Sequence, residues 1–265
     1  MDFDAYQRTV WTGRADAYQR EFAPLTAHTA GALLDAAEVE ANTRLLDIGT
    51  GPGVVAKAAV ARGAQVTAVD AEPSMVKAAA RNVPGLDVRV AVLPDLPLND
   101  GQFDAVTGNF VINALGDPAT ALAELARVLR QGGRVALTCW RNPPAPALGI
   151  AAQAIEAAGV PWPDDVPVPP FRIFSSPGAF EALLLGTGFV DAAARELSWE
   201  HRVDPGQWWQ VYLSGIGSNG VVIARQDAAT IARIKAEFDR LIAPYAVDGG
   251  QVALPAVAVL ASATR

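Results

Sequence analysis

The chain has 265 residues, of which 51% are hydrophobic and 18% charged, and its formal net charge is −7 at pH 7. This composition is typical of a folded globular protein and excludes an intrinsically disordered one. The acidic balance argues against nucleic acid or an anionic membrane as a partner. The single cysteine, Cys139, excludes an intrachain disulfide and a thiolate metal cluster, so we expect no metal site.

The amino-terminal region, residues 1–43, precedes the first predicted strand, and we expect it to form a helical lid with a helix over 25–37. Asp2 and Asp4 stand where a secretion signal carries positive charge, and no apolar stretch reaches the length of a membrane span. These features predict a cytoplasmic protein that does not contact a membrane.

Between residues 44 and 140, short apolar segments alternate with segments of helical periodicity. The predicted elements are strand 44–48, helix 54–62, strand 65–69, helix 73–82, strand 87–92, strand 103–109, helix 118–130 and strand 133–140. Asp117-Pro118 is a helix-start pattern, and Gly132-Gly133 is expected to end that helix. Strands that alternate with helices predict a parallel sheet.

The composition changes after Trp140, where proline-rich segments separate shorter elements. We expect residues 141–175 and 199–250 to be insertions that cap the sheet, and residues 176–198 and 251–265 to complete it, all within one structural domain. The predicted elements are helix 147–158, helix 177–186, strand 190–197, a glycine-rich turn at 215–220, a helix at about 226–242 and strand 252–264.

The segment Leu45–Gly53 reads Leu-Leu-Asp-Ile-Gly-Thr-Gly-Pro-Gly and leads into the helix that starts at Val54. Its glycines allow a tight turn and let the backbone approach a ligand closely, and the helix directs its N-terminus at the same place. The third glycine comes one residue too early for the dinucleotide pattern G-x-G-x-x-G. Asp47 at the strand end would repel a pyrophosphate and attract an ammonium group. The pattern therefore favours a ligand with an adenosine end and an amino-acid end, such as S-adenosylmethionine.

A second acid supports this interpretation. The alternating segment Gln65–Val69 predicts a strand that ends at Asp70. An acid at this tip is placed to accept hydrogen bonds from ribose hydroxyls. The alternative is that Asp70 only caps the next helix.

The stretch from the first to the fifth predicted strand resembles the class I S-adenosylmethionine-dependent methyltransferases. Leu45–Gly53 is similar to their first motif, Val66–Asp70 to their second, Gly101–Val106 to their fourth strand, and Leu129–Trp140 to the helix end and fifth strand that follow. The resemblance implies an α/β fold with a Rossmann-like seven-stranded sheet in the order 3-2-1-4-5-7-6, strand 7 antiparallel, and helical cap insertions. On this basis residues 44–140 are the cofactor-binding core and S-adenosylmethionine is the cofactor.

The resemblance also implies which residues bind the cofactor. The predicted set is Asp47, Gly49, Thr50, Gly51, Gly53, Asp70, Ala71, Met75, Leu93, Asn109 and Val111. Within it, Asp47 and the backbone around Gly49 and Asn109 are expected to hold the amino-acid part, and Asp70 the ribose.

The adenine end departs from the family pattern. Many relatives have an acid after the third strand that bonds the adenine amino group, whereas this chain has Ala91-Val92-Leu93-Pro94. We expect backbone groups, Met75 and Leu93 to hold the adenine, with Asp95 as a displaced substitute for the acid.

The catalytic residue is not marked by any motif. Methyl transfer is an in-line displacement that mainly requires the acceptor to be positioned and water excluded, although a hydroxyl acceptor must also lose a proton. The two histidines, His28 and His201, are the candidates for a general base. The alanine-rich surroundings of His28 favour a structural role, whereas His201 stands at the entry to the second insertion.

Aromatic residues from the segments that should cover the pocket form the predicted acceptor site: Trp11, Tyr18, Trp140, Trp208 and Tyr212. An aromatic-lined cavity suits an apolar or aromatic molecule, and ring faces can also lie against a sulfonium. The alternative is that these rings pack the cap onto the sheet. Arg14 is a candidate partner for the cofactor carboxylate.

Asn142-Pro143-Pro144 resembles the Asn-Pro-Pro-aromatic signature of enzymes that methylate amino groups of nucleic-acid bases or protein side chains. That signature follows the fourth strand and ends in an aromatic residue. Here it follows the fifth predicted strand and precedes Ala145, so we reject it.

Together these features predict a methyltransferase that transfers a methyl group to oxygen, nitrogen or carbon of a small hydrophobic or aromatic metabolite, in secondary metabolism. Its only expected partner is the acceptor, and the chain is a monomer or a homodimer. Two alternatives stay open: an enzyme of the same fold that catalyses a non-methylating step such as cyclisation, and a non-catalytic protein that binds the cofactor.

Overall fold

The computed structural model describes residues 3–265, so Met1 and Asp2 of the predicted lid, including one of the two acids that argue against a secretion signal, lie outside the described residues. Its central sheet contains β1 (Arg44–Ile48), β2 (Gln65–Asp70), β3 (Asp87–Val90), β4 (Phe103–Gly108), β5 (Leu129–Trp140), β6 (Val190–Val203), β7 (Ala246–Val247) and β8 (Gln251–Thr264). The strand order is β3-β2-β1-β4-β5-β8-β6, and β7 pairs with β8.

The pairing confirms the predicted fold class and strand order. The first five strands, β1 to β5, are parallel to one another, and β8 is antiparallel to both of its neighbours, β5 and β6. The predicted strand 7 is therefore β8. The predicted strand count is one too low because β7 has two residues, too few for any alternating pattern to show in the sequence.

Helices pack around this sheet and form the cap. They are α1 (Phe3–Trp11), α2 (Ala15–Ala17), α3 (Ala23–Thr26), α4 (Ala30–Ala36), α5 (Val54–Ala61), α6 (Pro73–Asn82), α7 (Pro118–Val128), α8 (Pro146–Ala157), α9 (Pro177–Gly186), α10 (Pro205–Leu213), α11 (Gly217–Ala224) and α12 (Ala228–Ile242). Several begin at caps that the sequence makes visible: the Asp117 side chain accepts a hydrogen bond from the backbone N–H of Thr120, and Pro118 follows at the first helical position.

The predicted helix over 25–37 is interrupted. The structure has α3, then a 3₁₀ turn at Ala27–Thr29, then α4. The hydroxyls of Thr26 and Thr29 donate hydrogen bonds to carbonyls three residues earlier, at 3.2 and 2.9 Å. Such bonds compete with the regular helical ladder and tighten the turns, which explains the break.

The predicted end of helix 118–130 is also wrong, because the helix stops at Val128. Leu129 has an extended backbone (φ −72°, ψ 142°) and already pairs with Phe103 of β4. Gly133 is needed for a different reason, since a Cβ there would lie 2.9 Å from the carbonyl oxygen of Arg130. The glycine pair thus permits an irregular start of β5 and does not terminate a helix.

β6 runs six residues beyond its predicted end at 197, because its residues stay paired with β8 as far as Val203 and Val252. Buried Trp199 and His201 alternate with exposed neighbours, the pattern of a strand with one covered face. Residues 199–203, assigned from the sequence to the second insertion, are therefore part of β6. Helix α10 was not predicted, and α11 occupies most of the predicted glycine-rich turn at 215–220.

The main hydrophobic cluster of the cap contains residues of α1, of α8 and Val166, and of α10, α11 and α12. These residues pack against the last part of β6 and the first part of β8. A second cluster fills the face of the sheet under α7 and α9. No helix among residues 3–265 combines the length and apolar character needed to cross a membrane.

Candidate active site

The loop between β1 and α5 brings the backbone close to the tip of β4. Gly49, Gly51 and Gly53 all have positive φ, at 59°, 54° and 87°. A Cβ on Gly49 would lie 2.6 Å from Cγ2 of Val111, so only glycine fits there. A Cβ on Gly53 would lie 3.3 Å from Ala79, which makes Gly53 a packing position between the loop and α6.

Asp47 lies behind this loop and not in the main cavity. It is 1% exposed, and its carboxylate accepts hydrogen bonds from the hydroxyls of Thr50 (2.7 Å) and Thr107 (2.9 Å). Burial raises the pKa of this carboxyl to about 6, against the two hydroxyl hydrogen bonds. With Thr50 it lines a recess of about 20 Å³ that shares Gly49 and Gly51 with the large cavity.

Asp70 at the end of β2 joins two loops. Its Oδ2 accepts a hydrogen bond from the backbone N–H of Gly51 at 2.8 Å, and its Oδ1 accepts one from that of Glu72 at 2.9 Å. The cap of α6 is Glu72, whose side chain accepts from the backbone N–H of Ser74, so the alternative role of Asp70 as the helix cap does not hold. Burial raises the pKa of Asp70, and the two N–H groups oppose that rise.

A cavity of about 580 Å³ opens beyond the carboxyl ends of the parallel strands, where open α/β sheets bind ligands. Most of the predicted cofactor residues lie in its wall: Gly49, Gly51, Asp70, Ala71, Met75, Leu93, Asn109 and Val111. Asp47, Thr50 and Gly53 do not line it; the first two line the small recess.

The side chain of Asn109 is held by the amino-terminal region and by β5. Its Oδ1 accepts a hydrogen bond from the hydroxyl of Thr138 at 2.8 Å and lies 2.7 Å from the hydroxyl of Thr29, whose one proton is shared with the carbonyl oxygen of Thr26. Its Nδ2 donates to that same carbonyl oxygen at 3.0 Å. The side chain is therefore occupied by the protein, and the role of the backbone around Asn109 in holding the amino-acid part stays a prediction.

Aromatic rings line the remainder of the cavity. They are Trp11, Tyr18, Phe22, Phe110, Trp140, Trp162, Phe171 and Tyr212. Phe110 stacks on Trp140 with a centroid distance of 3.9 Å, and Trp11 meets Tyr18 edge to face at 5.6 Å. Burial raises the pKa of Tyr18 to about 12 and also raises that of Tyr212, so both hydroxyls stay protonated at neutral pH.

Trp208 is the one residue of the predicted acceptor-binding site that does not line the cavity. It is fully buried behind the wall, where its ring stacks on Phe22 at 6.0 Å and its Nε1–H donates to the carbonyl oxygen of Ala147 at 3.1 Å. For this residue the structure agrees with the alternative, packing of the cap onto the sheet.

Neither histidine lines the cavity. His28 is exposed and stacks on Trp199 with a centroid distance of 5.1 Å. His201 is 7% exposed and meets Trp208 edge to face at 4.9 Å, and burial lowers its pKa to about 4. Both positions are separated from the cavity by the aromatic wall, so the geometry gives neither a direct path to an acceptor.

Two further expectations differ from the geometry. Arg14 donates from Nε to the carbonyl oxygen of Ser214 at 3.1 Å and does not line the cavity. Asp95, the suggested substitute near the adenine, is exposed and outside the cavity wall. Ala91, Val92 and Leu93 line this end instead.

Glu72, two residues after Asp70, also lines the cavity and was not among the residues predicted from the sequence. Its Oε1 accepts from the backbone N–H of Gly13 at 3.2 Å and from that of Ser74 at 3.1 Å, so it joins the amino-terminal region to the loop after β2. An acid before Pro73 is a helix-start pattern and could have indicated its position. Phe22 and Phe171 carried no comparable pattern. Within residues 3–265 no group of three or more His, Cys, Asp or Glu side chains is arranged to hold a metal ion.

Comparison with known proteins agrees with this geometry. A family model described as a methyltransferase domain matches residues 46–137. A demethylmenaquinone methyltransferase from Thermus thermophilus is 33% identical over 177 residues, which are 59% of this chain and 78% of the relative. Other curated relatives are matched over a smaller part, and the chain spans 32% to 57% of their length.

Solved structures share the fold at low sequence identity. The YcgJ protein from Bacillus subtilis is 21% identical with a TM-score of 0.56, and the match covers 90% of this chain and 98% of that one. A phosphoethanolamine N-methyltransferase from Haemonchus contortus, solved with phosphomonomethylethanolamine and S-adenosylhomocysteine, is 19% identical with a TM-score of 0.52 over 90% of this chain and 52% of that one.

Proposed function

The chain belongs to the class I S-adenosylmethionine-dependent methyltransferase family, and from this premise we propose that it methylates an oxygen, nitrogen or carbon atom of a small apolar or aromatic molecule. The observation that carries the proposal is one continuous cavity with a polar wall at the ends of β1 and β2 and an aromatic wall at the ends of β4 and β5. We also propose that the enzyme acts in secondary metabolism, because small apolar and aromatic acceptors occur there.

The residues of the polar wall fit S-adenosylmethionine. Gly49 leaves a space beside Val111 that a side chain would fill, and the Asp70 carboxylate uses one lone pair on each oxygen for Gly51 and Glu72, which leaves others for hydroxyl donors. Met75 and Leu93 supply apolar surface for a purine ring. We infer that Asp70 holds the ribose and that these apolar groups flank the adenine.

Asp47 fits a supporting position. Since Asp47 is 1% exposed and lies outside the cavity wall, we infer that it holds the loop in shape through Thr50 and Thr107 and adds negative charge behind it, which favours an ammonium group over a phosphate at Gly49 and Gly51. This inference keeps the predicted electrostatic role and replaces the direct contact.

When bound, S-adenosylmethionine supplies an electrophilic methyl group on a sulfonium. The chain's own part is to place the acceptor and exclude water, and the stacked rings of Phe110 and Trp140 provide a rigid apolar surface for this. The hydroxyl of Tyr212 donates to the carbonyl oxygen of Ala147, and that of Tyr18 forms a hydrogen bond with the hydroxyl of Thr26. We therefore infer that both residues shape the cavity and do not transfer a proton.

The test is transfer of label from methyl-labelled S-adenosylmethionine to a panel of phenols, aromatic amines, terpenoids and quinols. Quinols are included because relatives are named as demethylmenaquinone methyltransferases and as ubiquinone biosynthesis O-methyltransferases. Label in an acceptor supports the proposal. Calorimetric binding of S-adenosylhomocysteine with no transfer to any acceptor class would favour the non-methylating enzyme or the cofactor-binding protein.

A further inference from the structure

The charged residues of the cavity wall are sorted by sign along the sheet. Asp70 is the last residue of β2 and Glu72 follows it, whereas Arg141 follows β5. Two strands, β1 and β4, lie between β2 and β5, so these ends are separated by about 14 Å, three strand spacings of about 4.8 Å.

Two more arginines line the cavity at the β4–β5 end. Arg8 comes from α1 and Arg172 from the 3₁₀ segment Pro170–Phe174, and both elements pack against the turn Val111–Ala114 that follows β4. The cationic end of the cavity is therefore assembled from three separate segments of the chain.

The pairing of these arginines differs. Arg141 already has an acidic partner, because its Nε lies 2.5 Å from Oε1 of Glu196. Arg8 and Arg172 have no carboxylate within ion-pair distance among residues 3–265, although most arginines of the chain do. Among the described residues, these two exposed arginines are thus free of an ion pair and available to an anion next to the aromatic wall.

Asp4 is the acid that lines this end of the cavity within the described chain. Its Oδ1 accepts a hydrogen bond from the backbone N–H of Gly116 at 2.6 Å, which anchors α1 to the loop before α7. It forms no ion pair with Arg8 four residues later, so it reduces the positive charge at this end and does not cancel it.

We propose that this end binds an acidic group on the acceptor, with Arg8 and Arg172 as its partners, so that the acceptor is an apolar or aromatic acid. This inference rests on the proposed function, since it assigns the acidic β2 end to the cofactor and the basic β5 end to the acceptor. An acid held there lies against the rings of Phe110 and Trp140 with its charge directed away from the acidic end.

The test uses two fluorescent probes that share one ring system. 8-Anilinonaphthalene-1-sulfonate carries an anionic group, and N-phenyl-1-naphthylamine lacks it. Both are titrated into the full chain saturated with S-adenosylhomocysteine. The variants are Arg8→Gln and Arg172→Gln, with Arg195→Gln as the control, because Arg195 is exposed, has no ion pair among residues 3–265 and lies outside the cavity wall.

We expect Arg8→Gln and Arg172→Gln each to raise the Kd of the sulfonate probe about three- to tenfold, since each removes one charge-assisted contact at an exposed site. The Kd of the neutral probe should stay unchanged in all variants, and Arg195→Gln should change neither probe. Equal effects on both probes, or no effect of either cavity variant on the sulfonate, would overturn the proposal.

The two proposals fail in different ways. Calorimetry with S-adenosylhomocysteine is run on every variant. A chain that binds S-adenosylhomocysteine and shows no arginine-dependent preference for the sulfonate contradicts the anion site alone. A chain that binds no S-adenosylhomocysteine contradicts the proposed function first.

Discussion

The carboxylate of Asp70 accepts a hydrogen bond from the backbone N–H of Gly51 at 2.8 Å, which joins the tip of β2 to the glycine loop after β1. The two features that first suggested the cofactor are therefore physically connected. A change in either one should alter the shape of the other, and this coupling determines how variants of the site must be controlled.

Asp70→Ala should weaken binding of S-adenosylhomocysteine by about 1–3 kcal/mol, because in the proposed function Asp70 holds the ribose through charge-assisted hydrogen bonds. Calorimetry gives the affinity, and the melting temperature shows whether loss of the Gly51 contact also loosens the fold. Asp248→Ala removes the same charge at an exposed position outside the cavity and should bind normally. Unchanged affinity in Asp70→Ala would take Asp70 out of the site.

Gly49→Ala should abolish cofactor binding and destabilise the fold, since its Cβ would meet Cγ2 of Val111 at 2.6 Å. Gly85→Ala is the matched control: Gly85 also has a positive φ, at 84°, but a Cβ there meets nothing within 4 Å. The control should cost about 1–2 kcal/mol for backbone strain alone and leave binding intact. Denaturant unfolding and calorimetry separate the two effects, and normal binding by Gly49→Ala would contradict the close approach.

Asp47 should make the fold less stable as pH rises from 4 through 6. Burial raises its folded pKa from 3.8 to about 6, so the protonated form is favoured in the folded state and its contribution is lost as the carboxyl ionises. The expected loss is about 3 kcal/mol. Asp47→Asn should lack this component, which a comparison of unfolding free energies of the variant and the parent chain between pH 4 and 7 measures. Parallel pH profiles would show that the prediction is wrong.

His201 should act in the opposite direction over the same range. Burial lowers its folded pKa from 6.5 to about 4, so the unfolded chain binds a proton first and stability is lost as pH falls from 6.5 towards 4. The expected change in the free energy of unfolding is again about 3 kcal/mol, so the pH effects of Asp47 and His201 partly cancel in the parent chain. His201→Phe keeps a ring against Trp208 and should be less sensitive to acid than the parent. If its methyl-transfer rate also changed its pH dependence, His201 would have a role in proton transfer after all.

Trp208→Phe should lower stability by about 1–3 kcal/mol, because it leaves the carbonyl oxygen of Ala147 with one donor fewer and creates a gap behind Phe22. Acceptor KM should change little, since Trp208 does not line the cavity. Trp162→Phe is the comparison: Trp162 lines the cavity and is 39% exposed, so its loss should affect KM more than stability. The reverse result would place Trp208 in contact with the acceptor.

The amino-acid sequence alone was enough to predict the parallel half of the sheet, its strand order through the family resemblance, and the cofactor. The reason is that these features are local. The glycines of Leu45–Gly53, the acid at Asp70 and the alternation of strand and helix are each readable within a few residues, and the fold of the family brings their ends together.

The tertiary structure alone decided which side chains face the cavity. Asp47 lies behind the loop because Thr107, sixty residues away in the sequence, occupies its carboxylate. Trp208 of α10 and His201 of β6 are buried against each other, and Arg8 and Arg172 line the same end of the cavity because two distant segments pack on the same turn. No local pattern records these long-range contacts, so the chemistry of the acceptor side could be inferred only from the folded chain.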